Sequence, residues 1–260
     1  MKTSKFLFSL LGGGLIAALA LSPTDSLRAQ CKSAEWKPLF NGKNLDGWVV
    51  RGGNAKFDIK NGEIIGIVAA KTPNTFLCTE KNYGDFVLEL EFNCPAELNS
   101  GVQIRSEYLT EDRVVKDAPP LPGQKPRTVK LKAGNVSGYQ VEIDYRSGRT
   151  GGIYDEARRN GWVYPQVNSQ QDKEFRAQGE KIIKAATWQK LRVETSGSTI
   201  RTFIDGHLRA DARDTMSSTG IIALQVHSSP VRDAGKQIRF RNIRIKEVSP
   251  TPIAVPSAAK

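Results

Sequence analysis

Apolar and polar residues alternate with period two along most of this chain. From Asp85 to Asn93, Phe86, Leu88, Leu90 and Phe92 point one way and Glu89 and Glu91 the other. Val102 and Ile104 alternate with Gln103 and Arg105; Tyr139, Val141 and Ile143 with Gln140, Glu142 and Asp144; and Ile222, Leu224 and Val226 with Ala223, Gln225 and His227. This is the signature of half-buried strands. Shorter strands are predicted at Phe57–Lys60, Glu63–Val68, Thr75–Thr79, Leu191–Thr195 and Thr199–Ile204. Asn61-Gly62 and Asp205-Gly206 predict tight hairpin turns, because both central positions of such turns take positive φ. No segment sustains a 3.6-residue period, so no amphipathic helix is expected. Many short strands joined by turns predict an all-β protein, a two-sheet antiparallel jelly-roll sandwich.

Two segments break the rhythm. In Gln237–Ile245, Ile238 and Phe240 are followed by Ile243 and Ile245, a slip of one residue around Arg241-Asn242 that predicts a β-bulge. Residues 106–137 are rich in Pro and Lys, with Pro119, Pro120, Pro122 and Pro126, and carry little strand pattern. So long a loop is expected to be a lid, a binding loop or a disordered insert.

The ends read differently from the middle. Lys2 and Lys5 precede an apolar stretch from Phe6 to Leu21, and polar Ser22, Thr24, Asp25 and Arg28 follow at once. Residues 1–29 therefore predict a removed signal peptide, with export to the periplasm or medium and no stable membrane insertion. Cleavage after Ala20 and after Ala29 are both compatible with the pattern. Cys31 invites a lipoprotein reading, but Gln30 stands where a small residue is wanted. The tail 249–260 is expected to be disordered, which leaves a single domain over 30–248.

Charge alters this picture little. The chain has 38 Lys and Arg against 27 Asp and Glu, a formal net charge of +11. The basic residues are scattered along strands, with no recognition helix and no RNA-binding signature, so no nucleic-acid partner is expected. Three cysteines, no Cys-x-x-Cys and two histidines exclude a zinc ribbon or a redox motif. Cys78 and Cys94 read either as a disulfide or as buried free thiols.

Alternation also gathers chemistry. It puts Gln140, Glu142 and Asp144 on one face of one strand, about 7 Å apart in succession. The same polar face recurs as Gln103 with Arg105, Glu89 with Glu91, and Gln225 with His227. Such a row is ordinarily solvated strand surface. On the curved sheet of a sandwich, however, it is where polysaccharides commonly lie.

Several motifs in order resemble the bacterial 3-keto-disaccharide hydrolase family, also described as 3-keto-glucoside-1,2-lyase/3-keto-2-hydroxy-glucal hydratase. They are Pro38-Leu-Phe-Asn-Gly-Lys-Asn-Leu-Asp-Gly-Trp48, Tyr83-Gly-Asp-Phe86, Asn99-Ser-Gly-Val-Gln-Ile-Arg105, Gly138-Tyr-Gln-Val-Glu-Ile-Asp144 and Thr150-Gly-Gly-Ile-Tyr-Asp-Glu156. Trp188, Ile204-Asp-Gly206, Leu224-Gln-Val-His227 and Phe240-Arg-Asn-Ile243 complete the set. The segment after Arg105 looks longer than in most members, and Asp205-Gly206 stands where Asn-Gly is usual.

The resemblance implies a concanavalin A-like jelly roll acting on glycosides already oxidised at C3 by a separate sugar 3-dehydrogenase. A ketone at C3 acidifies the C2 hydrogen, so a base can remove it and the C1 substituent can leave. Glu142 or Asp144 would be the base, His227 an acid–base partner, and Arg105 a holder of the enolate. Gln140, Gln225 and Gln103 would bind substrate hydroxyls. Tyr154 and Trp162 read as stacking platforms for a sugar ring or as loop packing, and Trp48 and Trp188 as core or its edge. Arg105 reads equally as a neutraliser of nearby carboxylates. No cofactor is required, although Glu142, Asp144 and His227 are chemically able to ligate a divalent cation. A classical glycoside hydrolase built on Glu142 and Asp144, and a lectin-like module without chemistry, are the alternatives.

Overall fold

The computed structural model describes residues 35–248. The expected signal peptide at 1–29, Cys31 and the tail 249–260 lie outside the described residues. The strands are β1 (Lys37–Pro38), β2 (Trp48–Gly52), β3 (Lys56–Lys60), β4 (Glu63–Ile67), β5 (Thr75–Thr79), β6 (Phe86–Asn93), β7 (Asn99–Tyr108), β8 (Arg113–Ala118) and β9 (Arg127–Leu131). After them come β10 (Val136–Asp144), β11 (Ile153–Glu156), β12 (Trp162–Tyr164), β13 (Gln189–Ser196), β14 (Thr199–Ile204), β15 (His207–Arg213), β16 (Ile221–Val226) and β17 (Gln237–Glu247). One sheet runs β15-β14-β13-β6-β17-β4-β3, with β1 on β17; the other runs β12-β11-β10-β7-β16-β5-β2. Every pairing in the two sheets is antiparallel. The expected two-sheet jelly-roll sandwich of concanavalin A type is the architecture found.

The apolar set read from alternation is the filling between the sheets. Phe86, Leu88, Leu90 and Phe92 from β6 share one buried cluster with Val102 and Ile104 of β7 and with Tyr139, Val141 and Ile143 of β10. Burying one such side chain is worth about 2 kcal/mol, whereas an exposed ion pair contributes at most about 1. The core therefore holds the sandwich, and the charged outer faces contribute little. Trp48 belongs to this core, and its indole N–H donates to Leu39 O at 2.8 Å. Trp188 sits half-buried at an edge with the Arg241 guanidinium over its ring at 4.0 Å.

Local punctuation follows the sequence. Asn61 and Gly62 (φ 55° and 75°) join β3 to β4, and Asp205 and Gly206 (φ 48° and 84°) join β14 to β15. The slip in β17 is a break in register between Arg241 and Arg244 against β6, with Asn242 at φ 54°. Cys78 and Cys94 are buried free thiols, so no disulfide links them.

Three expectations need correction. The Pro/Lys-rich stretch contains an antiparallel ribbon, β8 with β9, and its own small apolar cluster of Leu109, Ala118, Val129 and Leu131. Its four prolines lie beside and between these short strands, which is why alternation was faint. A 13-residue helix, α1 (Gln170–Ile182), is also present. Ser169 caps it, accepting from Asp172 N at 3.2 Å, but of its large apolar side chains Phe175 alone is deeply buried, so its sequence carries no apolar stripe. Finally, β6 lies in the other sheet, so Glu89 and Glu91 do not share a face with Glu142. Burial would raise the Glu89 pKa, but hydrogen bonds from Arg244, Lys190 and Arg192 hold it down at about 2.

Candidate functional site

The outer face of β10, β7 and β16 carries a chain of amides ending at one carboxylate. Gln140 stands opposite Gln103 in the β10–β7 register. Its Oε1 accepts from Gln103 Nε2 at 2.9 Å and from Gln225 Nε2 at 2.8 Å. With its oxygen so engaged, the Gln140 amide must turn Nε2 onward, and it donates to Glu142 Oε2 at 3.0 Å. Ser106 Oγ fixes the far end, donating to Gln103 Oε1 at 2.7 Å. From the neighbouring strand, Asn99 Nδ2 donates to Glu142 Oε1 at 2.5 Å. Gly101, directly opposite Glu142, leaves room for this: a Cβ there would lie 2.5 Å from Gln140 Cγ.

Both oxygens of Glu142 thus point at amide N–H groups, yet the residue is only 6% exposed. Burial pushes its pKa up from 4.5 to about 7, while Gln140 and Asn99 pull it down and the nearby Asp144 and Glu156 raise it further. A carboxyl of that kind gives and takes protons near neutrality.

Glu142 opens into a cleft of about 310 Å3 that also takes in Asp144, His227, Tyr154, Trp162 and Gln140. His227 directly follows β16; its Nδ1 lies 2.5 Å from Ser228 O, so Nδ1 carries the proton in the neutral ring and Nε2 is left as acceptor. Burial lowers its pKa, which favours that neutral form. Tyr154 and Trp162 meet edge to face, centroids 5.4 Å apart. The Arg149 guanidinium stands 5.3 Å from the Trp162 ring centroid and pairs with Asp172 of α1 at 2.7 Å. Asp144 accepts from Arg146 Nε at 3.2 Å.

The structure therefore brings Glu142, Asp144, His227, Gln140, Tyr154 and Trp162 to one cleft. Gln103 and Gln225, fully buried, lie behind Gln140 and hold it rather than face the cleft. Arg105 is elsewhere. β7 bulges at Arg105, which takes φ 45°, and both neighbours break register there: Tyr139 pairs with Ile104 but Ser137 with Glu107, and Ala223 with Gln103 but Ile221 with Ser106. The bulge sends its side chain to the opposite sheet, where it donates to Gly84 O, Gly197 O and Asp85 Oδ1 at 2.9, 2.7 and 2.6 Å. Period-two counting fails at a bulge, and the glycines that accommodate this one, Gly138 and Gly220, lie far off in sequence.

Two further charged residues of the cleft, Glu156 and Arg149, escaped the sequence reading, as did the polar Asn74, Asn99 and Ser147. Glu156 has a pKa raised by burial, against the pull of Asn74, whose Nδ2 donates to Glu156 Oε1 at 3.1 Å. Arg149 supplies the cleft with positive charge. Neither stands in an alternating run beside the polar row, so only the register of β11 on β10 could have found Glu156.

For a divalent cation the fit is poor. Among the described residues no three His, Cys, Asp or Glu side chains are grouped to hold an ion. Glu142 spends its oxygens on two amides, and Asp144 is engaged by Arg146.

No curated protein matches the sequence. Among solved structures, the chain is similar to two proposed glycosyl hydrolases from Parabacteroides distasonis ATCC 8503. One has a TM-score of 0.49 at 16% identity, covering 88% of this chain and 99% of that one. The other has 0.48 at 20% identity, covering 82% and 100%. The carbohydrate recognition domain of Emp47p gives 0.46 at 11% identity, covering 84% and 96%. Residues 35–246 match the 3-keto-alpha-glucoside-1,2-lyase-like domain, and the chain belongs to that family.

Proposed function

We propose that this protein cleaves 3-keto-glycosides by elimination and rehydration, with Glu142 as the base. The observation that carries the reading is the Glu142 carboxyl: buried, held at both oxygens, raised to about 7, and open to a cleft that holds a histidine. A plain sugar C–H is far too weak an acid for any such group. A C3 ketone changes that, because the carbanion at C2 becomes an enolate.

In this scheme Glu142 takes the C2 proton and the electron pair moves into the enolate. The C3 carbonyl re-forms as the C1–oxygen bond breaks and C1=C2 appears. The departing alkoxide takes the proton that Glu142 removed from C2, passed on through Nε2 of His227, which returns to its neutral form. Water then adds at C1, C2 recovers a proton, and the net change is hydrolysis to a 3-keto sugar and an alcohol. Arg149 takes over the electrostatic part that Arg105 is too far away to play, and Tyr154 with Trp162 offers a wall for the ring. An upstream sugar 3-dehydrogenase supplies the ketone. Export, with the mature chain starting between residues 21 and 31, belongs to the same proposal, and N-terminal sequencing of the recovered protein tests it.

The deciding experiment is turnover of a 3-keto-glucoside in heavy water. Solvent deuterium is expected at C2 of the product, and the plain glucoside is expected to be inert. Fast cleavage of the plain glucoside without label at C2 would instead indicate hydrolysis at C1 by paired carboxylates. Tight sugar binding with no cleavage of either would make the protein a lectin.

A further inference from the structure

The cleft at Glu142 does not end at Glu156. A second chamber of about 620 Å3, twice the volume of the first, shares Asn74 and Glu156 with it as common walls. Asn74 is the saddle between them. Its Nδ2 holds Glu156, and its Oδ1 accepts from Ser228 N at 2.8 Å, next to His227. A ring seated with C2 at Glu142 must send its C1 substituent out of the first chamber, and past Asn74 there is room for a group of sugar or aryl size.

The far wall of that second chamber belongs to the inserted ribbon. Lys130 comes from β9, and Lys132 to Asn135 from the turn that leads into β10. The ribbon has its own apolar cluster, against which Met216 also packs, so these residues sit on an anchored arm. Lys130 is exposed; Lys132 meets Asp112 at 2.6 Å, a pair open to water at both ends and easily exchanged. Two lysines thus face one acid among the described lining residues, Glu156, which burial keeps more protonated than an ordinary glutamate.

Resting on the lyase reading, we infer that the second chamber is a leaving-group site selective for anionic aglycones, with Lys130 and Lys132 as its specificity residues. The chemical class is a 3-keto-glucoside whose C1 substituent carries a carboxylate or another acid group. The amides of Asn135 and Asn160 in the same chamber suit the oxygens around such a charge. The ribbon then sets what is released, while the first chamber sets what is broken.

The test compares two 3-keto-glucosides whose phenols leave equally well, one bearing a 4-carboxymethyl group and the other a 4-ethyl group. The wild-type protein is expected to favour the anionic one by about fivefold in kcat/KM, a ratio that shrinks as salt is added. The double variant Lys130→Glu/Lys132→Glu is expected to lose or invert the ratio while turning over the neutral substrate within about twofold of wild type. These side chains are exposed, so the fold tolerates the change; circular dichroism checks it, and Lys130→Gln/Lys132→Gln repeats the comparison with less charge. Equal kcat/KM for both substrates, or a preference that survives charge reversal, overturns the leaving-group site and leaves the lyase standing. No turnover of either substrate overturns the lyase and this inference with it.

Discussion

Asn99 Nδ2 lies 2.5 Å from Glu142 Oε1, while the other end of the same amide, Oδ1, is buried without a donor. One side chain on β7 thus gives its hydrogen bond to the carboxylate of β10 and receives nothing in return. The bond favours the ionised form and opposes the burial that lifts Glu142 to about 7.

Removing that donor should move the pH profile. With Asn99→Ala, Glu142 loses a bond that stabilises its charge, a contact worth about 1.5 kcal/mol or more. The acid limb of kcat/KM is expected to shift to higher pH by about one pH unit. At pH 7 the rate should fall about fivefold and largely recover by pH 8.5. An unshifted limb would remove Glu142 from the role of base.

Gly101 permits the whole arrangement. An alanine Cβ would come within 2.6 Å of both Gln140 Cγ and Cδ, so Gln140 would have to leave its place. Gln103 Nε2 and Gln225 Nε2 would then lose their acceptor, and Glu142 Oε2 its donor. Gly101→Ala is expected to cost about 2 kcal/mol, roughly 6 °C in Tm, and about tenfold in kcat/KM. Thermal unfolding and steady-state kinetics check the two parts separately.

Arg105 should behave as a strut. Its side chain is fully buried on Asp85 and two carbonyls. Arg105→Met is expected to destabilise by about 3 kcal/mol, the cost of leaving a buried partner unpaired, with kcat of the folded fraction within about threefold of wild type. A stable variant with kcat reduced by orders of magnitude would return Arg105 to the chemistry.

Much of this was legible in the sequence, and the misses have physical causes. Alternation located β6, β7, β10 and β16 and assigned their core faces, because one buried face fixes period two. It put Gln140, Glu142 and Gln103 on one face for the same reason. It could not say which sheet β6 joins, since both sheets of a sandwich bury one face alike; Glu89 and Glu91 were therefore grouped wrongly. It failed at Arg105, where one extra residue in β7 reverses the count. Glu156 and Arg149 come from short strands and loops without periodicity, and tertiary register alone delivers them to the cleft. Helix α1 escaped because it docks largely by polar contacts. Arg149 holds Asp172 near its start, and the buried Arg209 donates to Phe175 O further along at 2.9 Å.

The last prediction links the base to stability. Glu142 has a folded pKa of about 7 against an ordinary 4.5. Below about pH 4.5 both the folded and unfolded chains hold the proton, and the group contributes nothing. Between 4.5 and 7 the folded state keeps a proton that the unfolded chain has lost, so stability falls as pH rises. Above 7 the buried charge costs its full amount, about 3 kcal/mol at 1.36 kcal/mol per pH unit. Glu142→Gln removes that cost. Its new amide needs an acceptor beside Asn99, and a half-turn of Asn99 supplies the now unpartnered Oδ1. The variant should therefore be about 3 kcal/mol more stable than wild type at pH 8 and nearly equal to it at pH 4.5. Turnover of the 3-keto-glucoside should fall by about 10³-fold. Denaturant unfolding at the two pH values reads the first effect and kinetics the second. A stability gap that stays constant from pH 4.5 to 8 would mean that Glu142 titrates like an exposed glutamate, and the case for it as a base near neutrality would be lost.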